Sequence, residues 1–373
     1  MGILFSSPQV EFQVIRDEWL EGVEEVARRG VFVGGTPVTS FESAFAQYTG
    51  SAYSIGVGNG TDALFLTLKA LGIGPGDEVI TAANTFIATV EAIHHTGATP
   101  VLVDCDPDTY LIDLERAKQA VTPRTKAILP VHLYGQMVDL SELTVWAEAR
   151  NIAIVEDSAQ AAGARLHGQM AGTLGIAGCF SFYPDKNLGA LGDGGGITTS
   201  DPELASRLRR IRNHGGEAKY RHEFPGFNSR LDPLQAIALE LKLKHLDEWS
   251  VKRRHAASLY EHYLQHLGGI VLPKHRQDES HVFHLYIVRV DAAIRDKVRK
   301  HLQKKGVLTA IHYPSPVHLT EAFAHLPYEQ GAFPVSERYA REIVSLPMNI
   351  SITEEDVKFM AEELRAVLGT IQV

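Results

Sequence analysis

Residues 52–82 read AYSIGVGNGTDALFLTLKALGIGPGDEVITA, and their apolar pattern predicts the fold. The pattern is strand-like at Ala52–Gly58, helical at Thr61–Leu71 and strand-like again at Glu78–Ala82. Glycines separate these runs and favour turns between them. A strand, a helix and a strand of these lengths predict a right-handed βαβ unit of a mostly parallel sheet.

The alternation continues on both sides of this unit. An amphipathic helix is expected first, at about Val10–Arg29. The later segments are expected to be helices at Phe86–Thr96, Leu114–Val121 and Leu140–Arg150, and strands at Pro100–Asp104, Ala127–Val131 and Ile152–Glu156. The sequence therefore predicts an α/β fold with helices on both faces of the sheet and ligands beyond the carboxyl ends of the strands.

The pattern changes after about Asp232. One long helical stretch, residues 231–267, precedes a strand-like run, HVFHLYIVRV at residues 281–290. Helices are then expected near Ala293–Lys305 and at Thr353–Leu368. We therefore expect a large α/β domain at residues 1–244 and a smaller C-terminal α+β domain at residues 245–373.

Charge and cysteine content exclude several classes of partner and site. The 373 residues carry 36 Lys and Arg against 45 Asp and Glu, a net charge of -9, which argues against nucleic acid or an anionic membrane as the partner. Cys105 and Cys179 lack metal-ligand spacing, so neither a disulfide framework nor a metal site is expected. No signal peptide and no apolar run of about 20 residues is expected either, and the chain is predicted to be cytoplasmic.

The segment GNGTDA at Gly58–Ala63 fits a dinucleotide-binding fingerprint, which makes a nicotinamide-dependent dehydrogenase the first alternative. That fingerprint also needs an acidic residue at the carboxyl end of the next strand. Asp77 and Glu78 precede that strand, and Asn84 follows it. The dehydrogenase therefore lacks its second requirement.

The same segment still predicts a phosphate site. The backbone amides of Gly60 and Thr61, together with the Thr61 hydroxyl, stand at the start of the expected helix. Unpaired amides and the helix dipole favour an anion there. The alternative is that Thr61 and Asp62 only cap the helix.

Side chains that follow two other strands could contact a bound ligand. Glu156 and Asp157 end a buried strand, with Gln160 three residues later, and a buried carboxylate needs a cation or several donors. Phe86 follows an earlier strand and could stack on a planar ligand. The alternatives are a helix-capping acid for the carboxylates and an ordinary core position for Phe86.

A glycine-rich loop, SFYPDKNLGALGDGGG at Ser181–Gly196, contains one lysine, Lys186. Glycine allows backbone to lie close to a ligand, and a lysine that loses its proton can form an imine. Lys186 alone could be a solvated surface charge. Together with Asp157, which could keep a pyridine nitrogen protonated, it points to pyridoxal 5'-phosphate (PLP) chemistry.

These segments resemble the DegT-type nucleotide-sugar aminotransferases, which are PLP enzymes of fold type I. The resemblance covers nearly the whole chain and rests on GNGTDAL, PVHLYGQ, VEDSAQAAGA, the Lys186 loop, GFNSRLDPLQA and HYPSPVH. It implies that Lys186 forms the Schiff base with PLP, and that Asp157 pairs with the pyridine nitrogen. It further implies cofactor contacts from Gly60, Thr61, Phe86, Gln160, Ser181 and, across a homodimer with shared active sites, Asn228.

The resemblance also implies the reaction. L-Glutamate would donate the amino group, pyridoxamine 5'-phosphate would carry it, and a nucleotide-linked keto sugar would accept it. The segments Gly192–Gly195 and Lys219–Asp232 resemble enzymes that aminate carbon 3, so a dTDP-linked 3-keto-6-deoxyhexose is expected. The alternatives are a UDP-linked 3-keto uronic-acid sugar and another keto sugar.

Six further residues are expected to contact the sugar and diphosphate: Tyr183, Lys219, Tyr220, Arg230, His312 and Tyr313. For Lys219 and Arg230 the alternative is a solvated charge, and for His312 an ordinary turn residue. Two other classes stay open, a PLP-dependent sugar dehydratase and a non-catalytic sensor of the same fold. Relatives that dehydrate sugars carry histidine in place of the lysine, so Lys186 argues against the first. Asp193 has no assigned role.

Overall fold

A seven-stranded sheet forms the centre of the computed structural model, which describes residues 2–216, 220–276, 278 and 280–371. The strands of the large sheet and of a small hairpin are β1 (Tyr53–Val57), β2 (Glu78–Ala82), β3 (Thr99–Val103), β4 (Thr125–Ile128), β5 (Ala153–Asp157), β6 (Arg165–Leu166), β7 (Gln169–Met170), β8 (Ala177–Ser181) and β9 (Gly195–Thr199). The order is β1-β9-β8-β5-β4-β2-β3. The strand β9 runs opposite to the other six, so that it is antiparallel to both β1 and β8. The predicted fold class, α/β with a mostly parallel sheet, is confirmed.

Helices cover both faces of this sheet. They are α1 (Pro8–Arg29), α2 (Thr36–Thr49), α3 (Gly60–Ala70), α4 (Ile87–Thr96), α5 (Leu114–Gln119), α6 (Ser141–Glu148), α7 (Pro202–Ile211) and α8 (Pro233–Leu243). Successive residues of a strand point to opposite faces. Cys179 of β8 accordingly packs in the cluster that contains α3, while Phe180 packs against Phe45 of α2.

A second group of helices and strands follows α8 in the chain. It contains α9 (Leu246–Leu264), β10 (Ile270–Val271), β11 (Tyr286–Val290), α10 (Arg295–Lys304), α11 (Pro334–Glu342), β12 (Ile343–Leu346) and α12 (Glu354–Ile371). The three strands form an antiparallel sheet in the order β10-β11-β12. The predicted boundary between residues 244 and 245 falls between α8 and α9, and the two-domain division stays a prediction.

Two expectations about this region were wrong. The helical stretch at residues 231–267 is not continuous, because α8 ends at Leu243 and α9 begins at Leu246. Acidic Asp247 and Glu248 in the first turn of α9 favour a new helix start there. The run at residues 281–290 forms a strand only from Tyr286 onward.

A turn replaces the first half of that expected strand. Phe283 has a positive φ of 44°, and its backbone N–H donates to Nδ1 of His281 over 3.0 Å. The two rings also stack with centroids 3.8 Å apart. These local interactions compete with strand pairing.

The N-terminal segment crosses the same region. Ile3 pairs with Val307, and the Met348 amide donates to the Phe5 carbonyl oxygen over 3.2 Å. The segment then enters α1, which packs against α8. Phe5 and Ser6 are thereby held over the end of the sheet. Across the described ranges, none of the helices has the length and apolar character needed to cross a membrane.

Candidate active site

A cavity of about 420 Å³ opens where β5 and β8 end. It lies on the side predicted for an open α/β sheet, beyond the carboxyl ends of the parallel strands. The residues expected at the site that line it are Gly60, Thr61, Phe86, Asp157, Gln160, Ser181, Tyr183, Lys186, His312 and Tyr313. Asp193, which had no assigned role, lines it as well.

Lys186 is carried by the connection between β8 and β9. The sequence suggested one open loop from Ser181 to Gly196, but Ser181 closes β8 and Gly195 opens β9, and the two pair directly. Inside the connection the Lys186 amide donates to the Tyr183 carbonyl oxygen over 2.8 Å. The loop is thus a folded turn that holds Lys186 against the cavity.

Burial changes the acidity of this lysine. Desolvation lowers the pKa of Lys186 to about 8, while the carboxylates of Asp157 and Asp185 act in the opposite direction. An amine with this pKa is neutral in about a tenth of the molecules at pH 7, compared with less than about a thousandth for an ordinary lysine. Lys186 is therefore suited to act as a nucleophile or a base.

Asp157 is buried at the last position of β5. Its Oδ2 accepts a hydrogen bond from the Thr89 hydroxyl over 2.8 Å, and its Oδ1 accepts one from the Ala159 amide over 3.2 Å. Burial raises the pKa of this carboxyl, and the Thr89 hydrogen bond opposes the rise. No helix directly follows β5 in the described chain, so the alternative of a helix-capping acid is wrong.

Glu156 points to the other face of the sheet and has a structural role. One of its oxygens contacts Nε2 of His132 at 2.8 Å and accepts from the Gly172 amide. The other accepts from the amides of Leu174 and Gly175, each over 2.7 Å. Of the two adjacent carboxylates only Asp157 lines the cavity.

Gln160 is held in one orientation by two tyrosines. Its Oε1 accepts from the Tyr134 backbone amide over 2.6 Å, and its Nε2 donates to the Tyr313 hydroxyl oxygen over 3.0 Å. Tyr134 has a positive φ of 61°, and its hydroxyl donates to the His312 carbonyl oxygen over 2.5 Å. Tyr134 therefore links Gln160 to the turn that carries His312 and Tyr313.

The start of α3 forms an anion cradle with the end of β8. The side chain of Asn59 caps the helix by accepting from the Asp62 amide over 2.8 Å, so the alternative that Thr61 and Asp62 only cap it is wrong. The first amides of a helix have no acceptor within it, which leaves those of Gly60 and Thr61 for a ligand. Ser181 packs directly against Gly60.

Aromatic side chains form another wall. Phe86 is 49% exposed, so it is not a core residue, and its ring lies 5.3 Å from that of Tyr313. The His312 ring stacks on Phe5 at 5.6 Å, and its Nδ1 lies 2.7 Å from the Ser345 hydroxyl. Burial, assisted by the charge of Lys186, lowers the pKa of His312 to about 4.

Three expected site residues in the described ranges do not line the cavity of this chain. Asn228 is exposed, and Tyr220 is 83% exposed. Arg230 donates to the Asn213 side-chain oxygen over 2.8 Å and lines a separate cleft with Val33 and Arg212. Lys219 lies outside the described residues.

Sequence interpretation missed several residues of the site. Tyr134 lies in the quoted segment PVHLYGQ, but no local pattern gives it a role. Phe5, Ser6 and His284 line the cavity from distant parts of the chain. Ser6 donates from its hydroxyl to Asp185 over 2.9 Å, next to the lysine.

PLP fits the donors and acceptors of this cavity. Asp157 is a buried carboxylate with one hydroxyl and one amide donor, and it lacks a bonded cation in the described part of the chain. A pyridinium nitrogen would supply that charge. The cradle at Gly60, Thr61 and Ser181 suits a phosphate, and Lys186 lines the same space.

Comparisons with known proteins agree with this fit. A family model described as the DegT/DnrJ/EryC1/StrS aminotransferase family matches residues 13–365. The chain is 46% identical over 344 residues to the dTDP-3-amino-3,6-dideoxy-alpha-D-galactopyranose transaminase of Aneurinibacillus thermoaerophilus, covering 92% of this chain and 93% of that one. It is 44% identical over 356 residues to a "pleiotropic regulatory protein" of Geobacillus stearothermophilus, covering 95% of each.

A solved structure is similar over almost the full length. The crystal structure of S. venezuelae DesV in complex with a ketimine intermediate has a TM-score of 0.95 and 42% identity, and the match covers 98% of each chain. Matched structures also include PMP- and PLP-bound forms of one sugar aminotransferase. Further matched relatives are named as UDP-sugar aminotransferases.

Proposed function

The chain belongs to the DegT/DnrJ/EryC1/StrS aminotransferase family and is a PLP-dependent aminotransferase, and we propose that it transfers the amino group of L-glutamate to carbon 3 of a nucleotide-linked keto-6-deoxy sugar. One observation carries the proposal. Lys186, Asp157 and the amides at the start of α3 line one cavity. That set provides a base, a carboxylate and an anion cradle for one cofactor.

PLP, when bound, accepts the electrons left behind when a proton leaves the carbon that bears the amino group. Asp157 would hold the proton of the pyridine nitrogen and so maintain that capacity. Lys186 would carry the proton between the amino-bearing carbon and the cofactor, as base and then as acid. Its lowered pKa, about 8, suits both roles near neutral pH.

The remaining residues of the cavity would position the reactants. Gly60, Thr61 and Ser181 would bind the cofactor phosphate, and Phe86 would cover one face of the ring. Gln160, fixed by Tyr134, would donate toward the ring hydroxyl through its amide group. Tyr183, His312 and Tyr313 would contact the sugar nucleotide.

A dTDP-linked 3-keto-6-deoxyhexose is the proposed acceptor. The Aneurinibacillus relative is named for a dTDP-3-amino-3,6-dideoxy sugar, which supports a thymidine nucleotide and carbon 3. A UDP-linked 3-keto uronic-acid sugar is the second candidate, supported by a Pseudomonas aeruginosa relative named as a UDP-2-acetamido-2-deoxy-3-oxo-D-glucuronate aminotransferase.

We also propose a cytoplasmic homodimer with shared active sites. Lys186 is the single Lys or Arg in the cavity lining of the described chain, against the carboxylates of Asp157, Asp185 and Asp193. A cofactor phosphate and a nucleotide diphosphate need more donors than this lining holds. The partner subunit's Asn228 and the partner subunit's Arg230 would supply them, and both residues lie outside the cavity of their own chain.

The test is the visible spectrum of the purified protein with PLP. We expect an absorbance band that L-glutamate bleaches, that a keto sugar nucleotide restores, and that K186A abolishes. Amino sugar formation must accompany the restoration. Loss of water from the sugar without amine transfer would indicate a dehydratase. A band that glutamate does not bleach would indicate a sensor, the class suggested by the regulatory name of the Geobacillus relative.

A further inference from the structure

His284 lines the cavity from the turn that replaces the expected strand at residues 281–285. It is 9% exposed, and its backbone amide lies against Gly135, in the segment that also holds Tyr134. The carbonyl oxygen of the preceding Phe283 accepts from Arg253 over 3.4 Å, which anchors the turn from behind. The imidazole is thus fixed in the wall rather than mobile at the rim.

The ring of His284 differs from the other buried histidine rings in having no hydrogen-bond partner among the described residues. Its Nδ1 is fully buried and unpartnered. His132 uses both ring nitrogens, His281 accepts from the Phe283 amide, and His318 contacts Glu337 at 3.1 Å. The described residues therefore leave the hydrogen-bonding capacity of the His284 ring unused.

The environment keeps this ring neutral. Burial, together with the positive charges of Lys186 and Arg253, holds the pKa of His284 well below its usual range. A neutral imidazole carries one proton, on either nitrogen. A buried N–H without an acceptor is rarer than an unused acceptor site, so the proton belongs on Nε2 and Nδ1 keeps its lone pair. Nε2 is therefore the nitrogen that can donate, and His284 lines the cavity.

We propose that His284 donates a hydrogen bond from Nε2 to a hydroxyl group of the acceptor sugar, next to the keto carbon, and so orients that carbon toward Lys186. The inference rests on the proposed function. A neutral donor suits a neutral hydroxyl group, whereas the carboxylates of glutamate call for a cation or several donors. Lys186 and His284 line the same cavity, into which the reacting carbon must come.

The experiment compares H284L, which removes the donor, with H284Q, whose side-chain amide keeps a donor near Nε2. Isothermal titration of the cofactor-loaded enzyme would use dTDP and dTDP-glucose, with UDP and UDP-N-acetylglucosamine as the second pair. Neither sugar has a ketone, so binding is measured without turnover. We expect H284L to weaken the affinity for the sugar nucleotide ~5- to 10-fold, which corresponds to the free energy of one neutral hydrogen bond. The affinity for the nucleoside diphosphate should not change. H284Q should restore most of the loss.

The first half-reaction provides the control. Bleaching of the visible band by L-glutamate should be unchanged in H284L, since the donor amino acid does not use His284. Equal loss for the sugar nucleotide and the nucleoside diphosphate, slower bleaching, or no loss at all would overturn the inference. H284F replaces H284L if the leucine variant fails to fold. A wild-type protein that binds neither sugar nucleotide would overturn the proposed function and this inference with it.

Discussion

Gly60 packs so tightly on Ser181 that a Cβ on residue 60 would lie 2.6 Å from the Ser181 Cβ. Real Cβ contacts are longer, and the atoms involved belong to the end of β8 rather than to a flexible side chain. The helix that begins at Gly60 can approach β8 only because its first residue lacks a side chain. The proposed phosphate cradle depends on this approach.

We expect G60A to lower the affinity for PLP about 10-fold or more. Forcing a methyl group into this contact would separate α3 from β8 at a cost of about 1–3 kcal/mol. Fluorescence or absorbance titration of the apoenzyme with PLP measures the change. G369A in α12 is the matched control, because a Cβ there meets no atom within 4 Å. Equal affinities for PLP in G60A and the wild type would contradict the proposal that the phosphate binds at this contact.

The reaction of apoenzyme with PLP should depend on pH through Lys186. Since burial lowers the pKa of this amine to about 8, the rate should rise with pH and level off above about 8, well below the 10.5 of an ordinary lysine. Asp157 and Asp185 both raise this pKa, so D157N and D185N should move the midpoint to lower pH. Stopped-flow absorbance across pH 6 to about 10.5 records the profile. A midpoint near 10 would contradict the desolvation of the Lys186 amine.

We expect T89V to impair Asp157 without removing it. The Thr89 hydroxyl donates to the carboxylate and lowers its pKa, so its loss should raise that pKa further. The acid limb of the pH–rate profile for the glutamate half-reaction should move to higher pH. The rate of this half-reaction should fall about 10-fold, which corresponds to the free energy of a hydrogen bond to a charged group. T144V is the control, because the Thr144 hydroxyl bonds, among the described residues, only to carbonyl oxygens of its own segment, at Leu140 and Ser141. Identical pH profiles in T89V and the wild type would exclude this role.

Y134F should affect the sugar half-reaction more than cofactor binding. The variant keeps the backbone amide that holds Gln160 but loses the hydroxyl that holds the His312 carbonyl oxygen. The turn that carries Tyr313 should loosen, and we expect KM for the sugar nucleotide to rise about 5-fold with the PLP affinity unchanged. Y263F, which removes an exposed hydroxyl bonded to Glu354, is the matched control. A loss confined to PLP affinity would contradict this assignment.

E11Q should destabilise the protein far more than E18Q, although both glutamates lie on α1 and both face a lysine. Glu11 is buried and pairs with Lys242 over 3.2 Å and with Arg253 over 3.9 Å. Removing its charge leaves two buried cations, at a cost of about 3–5 kcal/mol. The exposed pair of Glu18 and Lys244, 3.8 Å apart, is worth about 0–1 kcal/mol. Midpoints of guanidinium denaturation for the two variants test the difference, and similar midpoints would contradict it.

The order of segments and the strand-end residues could be predicted from the sequence. Apolar periodicity placed β2 at its observed bounds and β1 within one residue at each end. It could not identify β9 as the antiparallel strand, because strand direction depends on which neighbours a strand pairs with rather than on its own pattern. The prediction of a strand at residues 281–285 was wrong for a related reason. The stacking of the His281 ring on Phe283 favours a turn there, although the apolar pattern is typical of a strand.

Sequence alone determined that Asp157 ends a buried strand, that Lys186 lies in a glycine-rich loop, and which family motifs the chain carries, because these properties are local and need only a few consecutive residues. Tertiary structure alone decided that Tyr134 orients Gln160, that Glu156 turns away while Asp157 faces the cavity, and that His284 and the N-terminal residues Phe5 and Ser6 complete the wall. Such contacts join residues far apart in the chain. They exist only when the whole chain has packed, since no local pattern records which distant side chains a fold will bring within hydrogen-bonding distance.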